Sequence, residues 1–284
     1  MPAQLLDGKL VAASVKKQVA EHIQHRQKQG RSTPGLDVIL VGHNPASEVY
    51  VNNKQIACHA VGIRSHCHRL PDTCTQEDIA QLIERCNQDA HVQGILLQLP
   101  LPKHVNSDDL LELIHPHKDV DGFHPYNLGR LVQRRPQLRP CTPKGIITLL
   151  EATGETIAGK HAVVVGASNI VGRPMALELL LAKCTTTVCH RFTNDLEQHI
   201  ASADILISAT GVHGIIDSHW IKPGAIVIDV GFSRLSNGLI VGDIEFETAF
   251  ERASWITPVP GGVGPMTIAT LLQNTVMAAE LQDK

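Results

Sequence analysis

The segment Gly166-Ala-Ser-Asn-Ile-Val-Gly-Arg-Pro174 follows an apolar, β-branched run, Ala162-Val-Val-Val165, and precedes a helical pattern that starts at Met175. A buried strand, a glycine-rich turn and a helix N-terminus together form a phosphate site, because backbone N–H groups and the positive helix end face the anion. Ser168 replaces the middle glycine of the common G-x-G-x-x-G motif, and Gly172 comes late. The context still predicts dinucleotide binding, the alternative being a turn that only connects two elements.

Outward from this segment, strand-like and helical patterns alternate along most of the chain, which is typical of an α/β fold. The length of 284 residues predicts two domains. The net charge of −3 gives no basic surface, so we expect no nucleic-acid partner.

Membrane, export and metal-binding roles find no support in the sequence. No apolar run approaches the length of a membrane span, and the N-terminal residues follow a helical pattern with charged side chains rather than a signal peptide. Seven cysteines without a C-x-x-C pair predict reduced thiols in a cytoplasm. The 16 histidines show no metal-binding spacing, so we expect no metal.

The first half of the chain reads as a helix followed by a β-α-β-α-β unit, which needs a parallel sheet. Val11, Val15, Val19 and Ile23 mark one face of the first helix. The predicted strands are 36–41, 63–70 and 94–99, and the predicted helices are 46–60, 75–86 (with Thr75 and Asp78 at capping-box spacing) and 108–114.

A loop-rich stretch, 115–140, separates this unit from the second half. There the predicted strands are 162–165, 185–189, 205–209 and 225–230, with further short strands at 240–241 and 255–256, and the predicted helices include 144–152 and 266–281. The strand–turn–helix at Gly166 lies among these elements, so the second half of the chain is predicted to bind the dinucleotide.

The end of the strand 185–189 predicts the cofactor. In dinucleotide-binding folds an acidic residue at this position binds the 2′-hydroxyl of NAD, whereas a basic residue accommodates the 2′-phosphate of NADP. The chain has His190 and Arg191 there. A guanidinium offers several donors to a phosphate, so we expect NADP.

Four further segments carry candidate chemistry. Tyr50 and Lys54 are four residues apart on one helix face. Gln98-Leu-Pro-Leu-Pro102 ends a buried strand, where open α/β sheets bind ligands. Lys118-Asp-Val-Asp-Gly-Phe-His124 is a loop with two carboxylates, and Pro258-Val-Pro-Gly-Gly-Val-Gly-Pro-Met-Thr267 combines rigid prolines with glycines that let a ligand approach.

Together with the Gly166 segment, these four motifs resemble the bifunctional methylenetetrahydrofolate dehydrogenase/methenyltetrahydrofolate cyclohydrolase family, over essentially the whole chain. The resemblance implies NADP-dependent oxidation of 5,10-methylenetetrahydrofolate, followed by hydrolysis of the methenyl product to 10-formyltetrahydrofolate at the same site. Lys54 matches the family's catalytic lysine, and Gln98 would hydrogen-bond it. Tyr50 would stack on the folate, and Asp121 would bind the pterin N–H groups.

The resemblance also implies a wider set of binding residues. Ser168 would contact the cofactor phosphate and Phe232 the nicotinamide end, with Gly166, Ala167, Ile170, Gly172 and Arg191 completing the cofactor site. Leu99, Pro100, Pro260, Gly261, Gly262 and Thr267 would join Tyr50, Lys54, Gln98 and Asp121 around the folate. Many members have Arg at position 167, so with Ala167 here the 2′-phosphate would depend more on Arg191.

The family's architecture implies two α/β lobes with a cleft between them. Residues 1–121, completed by a C-terminal helix at 264–284, would form the catalytic lobe, and residues 140–263 would form a Rossmann-type domain through which a homodimer assembles. We also expect cis peptide bonds before Pro100 and Pro260, because both prolines stand at strand ends by the predicted site.

Three alternatives remain open. The first is a monofunctional NADP-dependent dehydrogenase, against which Lys54 and Gln98 argue. The second is a silent NADP- or folate-binding regulator, although every expected reactive residue is present. The third is a short-chain or hydroxy-acid dehydrogenase, which would need its Tyr-x-x-x-Lys pair after the glycine-rich turn rather than at Tyr50 and Lys54.

Overall fold

The computed structural model of the protein describes residues 2–283. They divide into two compact units. The first unit comprises the residues up to Ala13 together with Thr142–Thr267, and the second comprises Ser14–Cys141 together with the residues from Ile268 onward.

The elements alternate between strands and helices, as the patterns predict. Up to the middle of the chain they are β1 (Gln4–Leu5), α1 (Gly8–Lys28), β2 (Gly35–Val41), α2 (Pro45–Val61), β3 (Arg64–Leu70), α3 (Gln76–Gln88), β4 (Gly94–Leu97), α4 (Ser107–Leu113), α5 (Pro125–Val132) and α6 (Cys141–Ala152). They continue with β5 (His161–Val165), α7 (Gly172–Leu181), β6 (Thr185–Cys189), α8 (Leu196–Ala201), β7 (Ile205–Ser208), β8 (Ile226–Asp229), β9 (Ser233–Arg234), β10 (Ile240–Val241), α9 (Phe246–Arg252), β11 (Trp255–Ile256) and α10 (Val263–Gln282).

The first unit is built on a parallel sheet of strand order β1-β11-β8-β7-β5-β6. β5 and β6 lie side by side, so the glycine-rich turn and the tip that carries Arg191 follow neighbouring strands. β1 pairs in parallel with β11, which joins the N-terminal residues to this unit. The sequence analysis missed β1, whose pairing partner β11 lies about 250 residues further along the chain.

The second unit contains the predicted parallel sheet, with β2 between β3 and β4. Side chains of β2 alternate between two cores. Leu36, Val38 and Leu40 pack in one cluster with residues of α2, and Ile39 and Val41 pack in another with residues of α3. The sheet therefore separates α2 from α3, and apolar burial on both faces fixes its register, since a one-residue slip would exchange the faces.

Two helices differ from the sequence prediction. α5 lies inside the segment 115–140, which was predicted to be loop. Its Pro125 occupies the first helical turn, where the missing N–H costs nothing. His124 caps this helix by accepting a hydrogen bond from the Tyr126 backbone N–H at 3.0 Å. Likewise α10 begins at Val263 and contains Pro265 in its first turn.

Among the described residues, the helices are all too short or too polar to cross a bilayer. The seven cysteines are free.

The capping box predicted at the start of α3 is confirmed and gives a stability test. The Asp78 backbone N–H donates to Thr75 Oγ1 at 3.1 Å, and the Thr75 backbone N–H donates to Asp78 Oδ2 at 2.9 Å. We expect Thr75→Ala to lower the free energy of unfolding in urea by about 1 kcal/mol, and Thr75→Ser to lower it much less. Equal unfolding midpoints for all three proteins would contradict the capping role.

Candidate active site

A lysine–glutamine pair forms the centre of the candidate site in the second unit. Lys54 lies on α2 and is only 6 % exposed. Its Nζ donates a hydrogen bond to Gln98 Oε1 at 3.0 Å, as predicted. Gln98 directly follows β4, and its Nε2 donates to the Leu99 carbonyl at 2.6 Å, which fixes the amide with its oxygen toward the lysine.

Tyr50 lies one helical turn before Lys54 on α2 and is half-buried. Burial raises the pKa of its phenol above the ordinary value. The helix is capped at its start by Asn44, whose side-chain oxygen accepts from the backbone N–H groups of Ala46 and Ser47. This cap and the buried face of α2 fix the direction in which both side chains project.

Asp121 belongs to the same site. Burial raises the pKa of its carboxyl, the positive charge of Lys54 lowers it, and the negative charge of Asp119 raises it. The thiol of Cys141 also hydrogen-bonds Asp121, and the pKa of this deeply buried thiol lies well above its usual value. The fold therefore brings together Lys54, Gln98 and Asp121 from three separate segments.

Asp119 organises the loop that carries Asp121. Its Oδ1 accepts from the backbone N–H groups of Gly122 and Phe123 at 3.1 and 3.3 Å. Its Oδ2 accepts from the His124 N–H at 2.8 Å and from Asn127 Nδ2 at 2.9 Å. Burial raises the pKa of Asp119, and these four donors oppose the shift. Asp119 therefore binds the loop backbone and Asn127, whereas Asp121 is the carboxylate beside Lys54.

Neighbouring residues anchor this loop at its two ends. Lys118 is 6 % exposed and donates to the carbonyls of Cys86, Asn87 and Asp89 at 2.8–3.0 Å, which caps the end of α3. Asn274 of α10 donates to the carbonyls of Val120 and Arg139, both at 2.8 Å. The sequence analysis assigned no role to either residue.

The predicted cis peptide bond between Leu99 and Pro100 is confirmed. Leu99 packs against the core cluster that contains α3, and Pro100 is exposed. Pro100 is therefore the accessible part of this strand end.

In the first unit, the turn after β5 depends on two glycines. Gly166 has a φ of 119°, and a Cβ added there would collide with the Ala209 carbonyl oxygen. A Cβ at Gly172 would collide with the Gly166 carbonyl oxygen. The backbone at the start of α7 thus packs directly on the turn, in the cradle that a pyrophosphate needs.

The other predicted cofactor residues line this turn or lie exposed nearby. Ser168 Oγ accepts from the backbone N–H groups of Val171 and Gly172 at 3.2 and 3.3 Å, so its hydroxyl proton is left to donate to an anion. Ala167 is half-buried, and Ile170 and Phe232 are exposed.

Arg191 is exposed at the tip of β6, with its guanidinium 4.6 Å from the ring centroid of Phe192. A second cation was missed by the sequence analysis. Arg173 Nε donates to the Ala167 carbonyl at 3.1 Å, which holds this exposed side chain against the glycine-rich turn. Arg173 lies within the glycine-rich segment 166–174, and this position was the signal that could have identified it.

Two buried aspartates that the sequence analysis missed fix the loops after β7 and β8. Asp229 accepts from the backbone N–H groups of Gly231, Asp243 and Ile244 at 2.8–3.0 Å, and burial raises its pKa to about 6. Asp243 Oδ2 accepts from the Ser208 hydroxyl and from the backbone N–H and hydroxyl of Thr210, all at 2.8 Å. The available signal was Asp229, a carboxylate ending an apolar strand.

The segment 258–267 lies in the first unit and contains the second predicted cis bond, Val259–Pro260, which is confirmed. The Gly262 N–H donates to the Pro258 carbonyl at 2.8 Å, and a Cβ at Gly262 would lie 2.6 Å from Thr257 Cβ. Gly261 has a φ of 116°. The hydroxyls of Thr267 and Thr142 lie 2.9 Å apart.

A cavity of 270 Å³ lies at the carboxyl ends of β8 and β11 and is lined by Asp229, Thr257 and Val259 among others. It contains none of the predicted site residues. We therefore assign it no part in the site.

These features define the class of the protein. A parallel sheet with a glycine-rich strand–turn–helix and an exposed basic strand tip is a dinucleotide-binding fold, and the second unit adds a buried lysine beside an amide and a carboxylate. The chain is thus a two-unit α/β enzyme with a dinucleotide-binding domain. Residues 6–121 match the catalytic domain, and residues 140–283 the NAD(P)-binding domain, of tetrahydrofolate dehydrogenase/cyclohydrolase. The chain belongs to the tetrahydrofolate dehydrogenase/cyclohydrolase family.

Solved structures agree with this assignment. The bifunctional methylenetetrahydrofolate dehydrogenase/cyclohydrolase from Campylobacter jejuni is 48% identical, with 98% of this chain and 99% of that chain covered and a TM-score of 0.95. The Trypanosoma brucei enzyme, complexed with NADP cofactor and inhibitor, is 38% identical (100% and 99% covered, TM-score 0.95). The bifunctional enzyme from Thermoplasma acidophilum is 32% identical (99% of each chain covered, TM-score 0.92).

The close approach at Gly172 predicts a loss of cofactor binding. We expect Gly172→Ala to raise the dissociation constant for the nicotinamide dinucleotide at least about tenfold, or about 1.4 kcal/mol, because the methyl group displaces the turn. Isothermal titration calorimetry measures this constant.

Gly129→Ala is the matched control. A Cβ at Gly129, inside α5, would meet no described atom within 4 Å. We expect unchanged cofactor binding and a gain of about 0.5–1 kcal/mol in the free energy of unfolding, since alanine favours helix. Equal cofactor affinity in both variants would contradict the proposed cradle.

Proposed function

We propose that this protein oxidises 5,10-methylenetetrahydrofolate with NADP and then hydrolyses the resulting methenyl cation to 10-formyltetrahydrofolate, with both reactions at one folate site. The observation that carries the proposal is the Lys54–Gln98 hydrogen bond of 3.0 Å beside Asp121. Membership of the family supports both activities.

Asp121 is proposed to hold the pterin. A carboxylate only accepts hydrogen bonds, which suits the amino and ring N–H donors of a pterin. The loop behind it is fixed by Asp119 and Asn274, so the carboxylate is held in place before the folate arrives. Tyr50 is proposed to stack on the same ligand, with Leu99 and Pro100 beside it.

Lys54 is proposed to act in the hydrolytic step. Water forms a C–O bond to the methenyl carbon and loses one proton. The bond from that carbon to N5 then breaks, N5 takes up a proton and the hydroxyl proton leaves, so that the formyl group stays on N10 and one proton is released overall. A side-chain amine that is held near the carbon can accept and return these protons. Gln98 is proposed to position the amine, because its own Nε2 is engaged by the Leu99 carbonyl.

The oxidative step needs fewer side chains. Held at the turn of Gly166 and Gly172, NADP would supply the acceptor for the hydride of the folate methylene group. The substrate's own nitrogens stabilise the cation that develops, so the protein mainly aligns the two reactants. Pro260, Gly261, Gly262, Thr267 and Phe232 are proposed to contact the ligands, as the family resemblance implies. Of these, Pro260 and Phe232 are exposed.

The residues of the first unit fit NADP. The cradle at Gly166 and Gly172 has no room for side chains, which suits close approach of a pyrophosphate. Arg191 is proposed to bind the 2′-phosphate, and Arg173 is a second candidate because it lies against the turn. By this proposal the Rossmann-type domain, residues 140–263, binds the cofactor, and residues 1–121 with 264–284 bind the folate.

The protein is further proposed to form a homodimer through its dinucleotide-binding domain and to act in the cytoplasm. Large apolar side chains on the surface of that unit, including Leu180, Val212 and Leu239, support self-association. Its free cysteines fit a reducing compartment. Multi-angle light scattering at micromolar concentration tests the dimer directly.

Absorbance spectroscopy of purified protein with 5,10-methylenetetrahydrofolate tests the function. We expect the methenyl absorption to appear with NADP and then to decay faster than in buffer. Appearance without accelerated decay would support a monofunctional dehydrogenase instead. Absence of any reaction from folded protein would overturn the proposal.

Lys54→Met separates the two activities. We expect cyclohydrolase activity to fall at least about 100-fold, which is the range in which positioned proton-transfer groups act, and dehydrogenase activity to fall much less. Lys17→Met is the control, since the Lys17 side chain is 80 % exposed on α1. Equal loss of both activities with an intact fold would refute a lysine role specific to hydrolysis.

Arg191→Ala tests the cofactor preference. We expect kcat/KM for NADP to fall about 10- to 100-fold, because a hydrogen bond to a charged group contributes about 1.5–3 kcal/mol. The same ratio measured with NAD, which lacks the 2′-phosphate, should stay about unchanged. An unaltered preference for NADP would remove Arg191 from the phosphate site.

A further inference from the structure

A cluster of three potential metal ligands lies in the second unit, apart from the folate site. Asp37 Oδ2 and His68 Nε2 are 2.6 Å apart. Cys86 Sγ lies 3.8 Å from the Asp37 oxygen and 3.9 Å from the His68 nitrogen. The three atoms thus form a compact triangle that joins β2, β3 and α3.

The sheet register explains why these side chains meet. Asp37 pairs with His66 on the neighbouring strand, so Asp37 projects from the same face as His66 and as His68, two residues further on. Helix α3, which carries Cys86, packs on this face, whereas Lys54 belongs to the helix on the opposite face. The cluster is therefore separated from the candidate active site by the sheet.

The donor set is typical of zinc. A carboxylate oxygen, an imidazole nitrogen and a thiolate are its usual protein ligands, and three of them leave a fourth position for water. With ordinary zinc–ligand bond lengths, the ligand atoms of a tetrahedral site lie about 3.4–3.6 Å apart. The two sulfur distances need to shorten by only a few tenths of an ångström, and the Asp37–His68 contact needs to open.

We propose that Asp37, His68 and Cys86 form a zinc site that ties the edge strand β3 to α3. Asp37 and His68 are 15% and 25% exposed, which lets an ion enter from solvent, while Cys86 is buried at 3 %. His68 is 31 residues from Asp37 and 18 residues from Cys86, so the three ligands form no short sequence motif. The sequence analysis predicted no metal because it compared the chain only with short metal-ligand motifs.

Zinc binding replaces the hydrogen bonds among the three side chains and one S–H bond. The proton that His68 Nε2 donates to Asp37 leaves to solvent while Nδ1 carries the imidazole proton, and the Asp37 oxygen and the Nε2 lone pair each form a bond to the ion. The Cys86 thiol loses its proton to solvent as the zinc–sulfur bond forms. Burial, the dominant effect, and Asp37 raise the pKa of this thiol to about 12, and Lys118 and Arg85 partly oppose that shift.

Titration of the full-length, chelator-treated protein with cobalt(II) tests the site, because cobalt replaces zinc and reports its ligands by colour. We expect one equivalent to give a sulfur-to-cobalt charge-transfer band, which zinc then abolishes. Absence of this band would overturn the proposal. Its persistence in Cys86→Ser would overturn it as well.

Matched variants and a wild-type measurement complete the test. His68→Gln and Cys86→Ser should lower the affinity for zinc at least about 10- to 100-fold. Loss of a residue that only hydrogen-bonds a metal ligand already lowers metal affinity by that factor, and these two residues are proposed ligands. Cys67→Ser, which changes a thiol packed against the other core, should bind as wild type does. In unaltered protein, equilibrium dialysis against zinc should leave one bound ion per chain; no bound zinc above that of Cys86→Ser would contradict the site.

Discussion

The burial of Lys54, which is 6 % exposed, is the constraint on which the candidate site depends. A charged group withdrawn from water must be compensated by hydrogen bonds and opposite charge, or the fold loses several kcal/mol. Gln98 supplies the acceptor at 3.0 Å, and Asp121 supplies the negative charge. Because these residues come from three segments, α2, the end of β4 and the following loop must all take fixed positions.

The scaffold around the site consists largely of buried polar groups that bind backbone. Asp119 collects three backbone N–H groups, Lys118 collects three carbonyls, and Asn274 joins two further carbonyls across the unit. In the first unit, Asp229 and Asp243 do the same for the loops after β7 and β8. Buried networks of this kind make loops rigid, so ligand-binding side chains stand on fixed backbone.

Sequence reasoning predicted the features that local patterns determine. Strand and helix periods predicted both parallel sheets, and the spacing of Thr75 and Asp78 predicted a capping box. The family resemblance implied the Lys54–Gln98 hydrogen bond, and the place of Pro100 and Pro260 at strand ends predicted both cis peptide bonds. The roles of the other site residues remain predictions. They depend on bound ligands rather than on the fold.

What the sequence did not predict arises from contacts between distant residues. β1 exists because it pairs with β11, and α5 exists because His124 caps a segment whose prolines resemble a loop. Asp243, like the cluster at His68, has partners tens of residues away along the chain. No residue period or short motif carries such information, so only the folded chain displays it.

Inhibition by one unreactive folate analogue tests the central claim that a single folate site serves both reactions. The inhibition constant is measured separately for NADP-dependent oxidation of methylenetetrahydrofolate and for hydrolysis of added methenyltetrahydrofolate, under identical conditions. A single folate site predicts competitive inhibition with the same inhibition constant in both assays. Clearly different constants, or loss of one activity while the other continues at saturating analogue, would show two sites and contradict it.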